Sequence, residues 1–177
     1  MKIDIKQRFT GAVKFTTEIE APEDAPASVK MRLAVLGAIE NKVDLSRSDL
    51  RGCDLRGSYL SGSDLSRSNL SGSDLSDCDL SGSNLRGCDL RDCDLRGSNL
   101  RDCDLSDCDL SRSNLRVLQT DIWTVYVQKN TIRIGCQYHS ISDWAQFTDG
   151  QIANMHGSAL IWWKTWKDLI FATHATI

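Results

Sequence analysis

Proline is nearly missing from this chain, occurring only at positions 22 and 26 of 177. No other point therefore carries a rigid break in the backbone. No apolar run approaches the roughly 20 residues that a membrane-spanning helix needs. The opening Met1-Lys2-Ile3-Asp4 lacks the apolar stretch of a secretory leader. No membrane contact is expected, and a reducing cytoplasm (the host's, if phage-encoded) is the expected location. Basic excess is missing too: 21 Lys and Arg stand against 24 Asp and Glu, a net charge of −3. A chain of that balance is not expected to bind nucleic acid directly. There is no Walker loop, no GxGxxG after a strand and no HExxH. Cys136 and His139 form a C-x-x-H pair, but two ligands do not make a zinc site and no third group orients them as a nucleophilic dyad. No cofactor, no metal and no enzymatic activity are expected.

What the chain does have is leucine at a strict spacing of five, fifteen times from Leu45 to Leu115. An α-helix would scatter these leucines, since every fifth residue advances by about 140° net. A flat strand would point successive ones to opposite faces, because five is odd. To bring all of them inward the chain must turn once per repeat and wind into a solenoid. Two residues before each Leu after Val43 stands only Ser or Cys, which marks a second, cramped inward position. Immediately before Leu comes Asp ten times, Asn four times and Tyr59 once. Two residues after Leu come Gly, Arg or Asp, closing with Val117; Gly and Asp suit the corner of a turn. Leucine burial falls short of the entropy of ordering the run, so coil-to-coil hydrogen bonds and covered ends must contribute.

This pattern resembles the pentapeptide repeat proteins, A(D/N)LXX, as in Cys53-Asp54-Leu55-Arg56-Gly57. The resemblance implies a right-handed quadrilateral β-helix with four repeats per coil, Leu and the small residue inside. The run departs from the family in having no alanine at the small position and no phenylalanine at the centre. Such regularity is compatible with an engineered or idealised array, and equally with a recent natural expansion. The flanks are similar to those of small phage and prophage pentapeptide repeat proteins, through Met1-Lys2-Ile3-Asp4-Ile5, Arg8-Phe9-Thr10-Gly11, Ile134-Gly135-Cys136, His139-Ser140 and Trp144. With twenty-residue coils, Asp54, Asp74 and Asp94 form one column and Asp89 and Asp109 another, and the Arg after Leu would relieve their repulsion. Six of the seven cysteines fill the small inward position, and Cys88 and Cys108 stack directly, where a cross-link would fit.

The expected fold is mainly β: a parallel β-helix over 44–118, an N-terminal hairpin and capping helix over 1–43, and a Trp-rich C-terminal α/β cap of hairpin and helices over 119–177. In the first cap, residues 2–20 read as a hairpin turning at Thr10-Gly11, residues 21–27 as a linker, and residues 27–41 as a helix. That helix carries Val29, Leu33, Val35, Leu36 and Ile39 and would cover the first coil. In the second, residues 122–128 and 131–136 read as a hairpin, with Cys136 in phase with Ile132 and Ile134 and so expected in the core. Ser140-x-x-Asp143 and Thr148-x-x-Gln151 are capping-box signals for short helices at 141–147 and 149–156, followed by a helix over 158–172. Its tryptophans are expected to seat this region on the last coil.

Two functions fit. One is a non-catalytic scaffold that binds a protein partner. The other, implied by the resemblance, is a DNA mimic inhibiting a type II topoisomerase or a host defence nuclease through acidic faces. Segment 77–109 holds nine Asp against four Arg, so Asp77, Asp92, Asp102 and Asp107 are candidate partner contacts. Trp162, Trp163 and Trp166 are candidates for a partner or homodimer surface at the C-terminal end.

Overall fold

The computed structural model describes residues 1–176, in two compact units that divide between Ser113 and Asn114. In the first unit, strand β1 (Lys2–Gln7) pairs antiparallel with β2 (Val13–Glu18), and helix α1 spans Ala27–Glu40. Gly11, at φ +69°, lets the hairpin reverse where a side chain would be strained. α1 packs on both strands through small residues: Ala34, Val35 and Ala38 are buried, whereas Val29, Leu33, Leu36 and Ile39 are only half-buried. The helix thus sits closer than its larger side chains would allow, and a Cβ on Gly37 would meet Thr17 Oγ1 at 3.3 Å.

Beyond the helix the chain returns on itself every twenty residues. Parallel pairings join Asp49 to Asn69, Asp54 to Asp74, Tyr59 to Asp79 and Asp64 to Asn84, and continue at the same interval to Asp89 and Asp109. Each repeat contributes a fixed set of bonds. The Leu65 N–H donates to Asn84 O at 2.9 Å, the Arg67 N–H to Arg86 O at 2.8 Å, and the Asn69 N–H to Ser48 O at 2.9 Å. The same three donors recur through the array, which answers the demand that leucine burial leaves open.

The corners explain the five-residue step. Every fifth residue from Lys42 to Arg112 has a positive φ, whether it is Gly, Asp, Arg or Lys. From Leu55 to Leu110 the N–H three residues after the Leu donates back to that Leu's carbonyl, as from Ser58 to Leu55 at 3.0 Å. A backbone reversal with φ above zero at its third position is what a type II turn needs. The Asp or Asn before Leu reinforces it: Asp74 Oδ1 accepts from Ser76 N at 3.0 Å, and Asn84 Oδ1 from Arg86 N at 3.1 Å. Leu45 through Leu100 are buried, while Leu105 and Leu110 in the last coil are only half-buried.

One side of the first coil's hydrogen-bonding edge is paired by β1. Strand β3 (Ser48–Asp49) pairs antiparallel with Lys6 and Gln7. A strand can supply the N–H and C=O groups that an open edge lacks, and a helix cannot. Arg8 extends this latch, its guanidinium donating to Arg67 O, Ser68 O and Asp89 Oδ2.

The second unit is a four-stranded antiparallel sheet in the order β4 (Leu115–Gln119), β5 (Thr124–Gln128), β6 (Thr131–Ile134), β7 (Gln137–Ser140), with three helices, α2 (Ile141–Gln146), α3 (Asp149–Met155) and α4 (Ala159–His174). The expected hairpin is β5–β6, and a further strand flanks it on each side. β7 exists because Gly135, at φ +56°, turns the chain directly after Ile134. That turn also breaks the alternation, so Cys136 is exposed instead of sharing the core with Ile132 and Ile134. Both capping boxes form, at Ser140 with Asp143 and at Thr148 with Gln151. α4 begins after Ser158, whose hydroxyl turns to His156 Nδ1 at 3.0 Å instead of capping the helix.

Candidate functional site

The four acidic candidates all lie at corners, where Asp tolerates the left-handed backbone: φ is +57° at Asp77, +58° at Asp92, +56° at Asp102 and +60° at Asp107. A twenty-residue coil places them on four different corners, since no two are separated by a multiple of twenty. The structure therefore does not bring them together. Three also carry a cation. Arg112 holds Asp92 through two bonds of 2.7 Å, Arg86 reaches Asp107 at 3.2 Å, and Arg101 reaches Asp102 at 3.3 Å. Asp77 lies over Gly97, its Oδ1 only 2.3 Å from where a Cβ would stand. A continuous negative face, as a duplex presents, does not arise from these residues.

The stacked carboxylates are relieved in the same manner. Arg56 bridges Asp54 at 3.7 Å and Asp74 at 3.2 Å, and Arg91 bridges Asp89 at 2.6 Å and Asp109 at 3.5 Å. Among the described residues Asp89 is the one buried carboxylate, closed in by Arg8 and Arg91. The Arg91 guanidinium, against the cost of burial, holds the Asp89 carboxyl below the usual carboxylate range.

The small inward positions bear chemistry that size alone does not reveal. Ser68 Oγ donates to Leu45 O at 2.8 Å and Ser73 Oγ to Leu50 O at 2.9 Å, each into the preceding coil. Cys78, Cys88, Cys93, Cys103 and Cys108 donate to leucine carbonyls at the same offset. In the first coil, which has no such carbonyl beneath it, the Ser48 and Ser58 hydroxyls have no partner. Burial pushes the Cys53 and Cys93 thiols up to about 12 and Cys78 to about 11, so these sulfurs stay protonated and unreactive.

Two of the three tryptophan candidates, Trp162 and Trp163, are core. Trp162 and Trp163 are 4% and 5% exposed and belong to one cluster with Val125, Val127, Ile132, Ile134, Trp144 and Ile170. Trp162 Nε1 donates to Thr120 Oγ1 and Trp166 Nε1 to Asp121 Oδ1, both at 3.0 Å. Trp162 and Trp163 thus fill their own unit's interior, while Trp166 is half-buried at its margin. Trp162 and Trp163 also line an apolar cavity of about 90 Å³, beside Trp123, Trp144, Cys136 and His156. His139 Nε2 faces Gln137 Oε1 at 3.2 Å and its ring meets Trp144 and Phe147 edge-on. Among the described residues, no three His, Cys, Asp or Glu converge to hold a metal ion, and no helix is long and apolar enough to cross a membrane.

One further residue stands out. Tyr59 is 79% exposed on an outer side of the array, where the other repeats carry Asp or Asn. The signal lay in the sequence, as the single break in that column. Ser61, Asp79, Asn99 and Arg101 share its side, and Asn99 Nδ2 donates to Asp79 Oδ1 at 3.1 Å.

Comparison with known proteins adds the following. The family model for pentapeptide repeats matches residues 41–77 and 78–116. Among solved structures, a pentapeptide repeat protein from the Arabidopsis thaliana thylakoid lumen is 26% identical over 40% of this chain and 52% of its own, with a TM-score of 0.35. HetL, a pentapeptide repeat protein involved in heterocyst differentiation regulation from the cyanobacterium Nostoc, is 34% identical over 41% of this chain and 36% of its own, with a TM-score of 0.26. The Nostoc protein alr5209, also a pentapeptide repeat protein, is 33% identical over 45% of this chain and 73% of its own, with a TM-score of 0.27. The chain thus spans about half the length of the first of these and about a third of the second. No curated protein matches it.

Proposed function

The chain belongs to the pentapeptide repeat family, and from that premise we propose that it is a non-catalytic scaffold whose array, a right-handed quadrilateral β-helix, presents one outer side to a protein partner. The twenty-residue coil of four corners supports the quadrilateral reading. The turn-capping role of the aspartates before leucine supports a role without catalytic carboxylates.

Tyr59 carries the proposal. An Asp or Asn there would cap the turn at Ser61, and Tyr cannot, so a stabilising bond is forgone for an exposed aromatic ring. Tyrosine is enriched at interface centres because it offers a large, stiff contact area with a polar tip. Flanked by Ser61, Asp79, Asn99 and Arg101, the ring sits as an apolar centre within a polar rim. The test is affinity capture from a lysate of the source organism on immobilised wild-type chain and on Tyr59→Asp. The variant should unfold at the same or higher denaturant concentration, because the cap is restored, and should lose a protein that the wild type retains. Identical captured proteins on the two columns would remove Tyr59 from the account.

A further inference from the structure

We infer that Cys88 and Cys108 form a dithiol site for small-molecule disulfides, which oxidise the pair to a cystine that staples the third coil of the array to the fourth. This inference does not depend on the partner-binding reading.

Column arithmetic singles the pair out. Six cysteines occupy inward positions, and a twenty-residue coil stacks Cys53 with Ser73, Cys93 with Ser73 and Ser113, Cys78 with Ser58 and Ser98, and Cys103 with Ser83. Only Cys88 and Cys108 stand one coil apart with sulfur on both sides. Their backbones are tied directly: Asp89 pairs with Asp109, and the Asp109 N–H donates to Cys88 O at 3.0 Å. Adjacent strands lie about 4.8 Å apart, inside the Cα separation of about 4.4–6.8 Å that a disulfide spans. Both side chains point inward, Cys88 buried and Cys108 half-buried.

Oxidation removes little that the fold needs. Cys88 Sγ donates to Leu65 O and Cys108 Sγ to Leu85 O. Those carbonyls keep their turn bonds from Ser68 N at 3.1 Å and Cys88 N at 3.0 Å, so neither is left without a donor. Access is unequal and sets the order of events. Cys108 is half-buried in the last coil, between the half-buried Leu105 and Leu110, whereas Cys88 is 1% exposed. The Cys108 thiolate attacks one sulfur of the incoming disulfide, forms a mixed disulfide and releases one thiolate. Cys88 then gives its proton to solvent and attacks Cys108 Sγ, and the second thiolate leaves. Two electrons pass from the pair to the oxidant, and the two protons that the cysteines shed end on the two released thiols. The exposed Cys136 has no inward neighbour of this kind, and its expected product is a mixed disulfide or an intermolecular bond.

The experiment uses the full chain carrying Cys136→Ser, treated with glutathione disulfide, alkylated in denaturant and analysed by peptide mass spectrometry. Of the six remaining thiols two should be consumed, joined as a Cys88–Cys108 peptide pair, and a reductant should restore them. Thermal unfolding of the oxidised chain should rise by roughly 5–10 °C and fall back on reduction. Cys88→Ser and Cys108→Ser should each abolish the intramolecular bond. Both should fold, since Ser48 and Ser68 fill the same column. Six thiols that stay reduced, a disulfide at another pair, a bond that survives Cys88→Ser, or oxidation without a rise in melting temperature would each overturn the inference.

Discussion

Serine and cysteine share a property that alanine lacks, and the inward small position uses it. From Ser68 to Cys108 a hydroxyl or thiol there donates to a leucine carbonyl of the coil before. Read as sequence, the position announces its size and nothing of its donor, because a repeat pattern does not say which carbonyl lies beneath it. The prediction separates the two roles. Ser73 also accepts from Cys53 N at 3.1 Å, so Ser73→Ala breaks two buried bonds and should cost about 1–3 kcal/mol in urea unfolding. Ser58, equally buried but without a partner, should become neutral or more stable as Ser58→Ala. Equal losses at the two sites would mean that the position is chosen for size alone.

At the level of elements, sequence was most legible where a local signal decides the structure. The hairpin turn at Gly11, helix α1 and both capping boxes follow from residues within a few positions of one another. It was least legible where partners are remote. β4 begins inside the last repeat, at Leu115, and its pairing with β5 is not written in the five-residue phase. β7 hides behind the turn at Gly135, and that turn is also what sends Cys136 to the surface. The burial of Trp162 and Trp163 depends on a sheet twenty to forty residues earlier in the chain, so their interface-like composition misled. Arg8 is another remote contact, reaching 59 to 81 residues along the chain to Arg67, Ser68 and Asp89. Arg8→Ala should destabilise the chain by about 1–3 kcal/mol, because it leaves the buried Asp89 with Arg91 alone. Arg8→Lys should rescue only part of the loss, since an ammonium cannot reach both carbonyls and the carboxylate. Chemical denaturation of the three proteins gives the comparison.

For the molecule as a whole, the aspartates before leucine link turn geometry to acid stability. Side-chain bonds from Ser81, Ser106 and Ser111 hold Asp79, Asp104 and Asp109 below the usual carboxylate range, and Arg51 does the same for Asp49. A carboxyl whose folded value lies below its unfolded one stabilises the fold above the unfolded value, about 3.9 for Asp, and loses that contribution as the pH falls through the folded value. Stability should therefore drop as the pH falls below about 4. Asn caps the same turn without titrating, as Asn84 does, so replacing Asp79, Asp104 and Asp109 together by Asn should flatten that acid limb with little change at neutral pH. An unchanged acid limb would show that the caps are not its source.

The claim beneath all of these is that the five-residue step returns the backbone to the same place every twenty residues. Scalar couplings transmitted through hydrogen bonds, measured by NMR on isotope-labelled protein, test it most directly, because they identify donor and acceptor without a model of the chain. The account predicts couplings from the amide nitrogens of Leu65, Leu70 and Leu85 to the carbonyl carbons of Asn84, Asp89 and Asp104, nineteen residues ahead in each case. Couplings four residues back, as in a helix, or none at these amides, would contradict it.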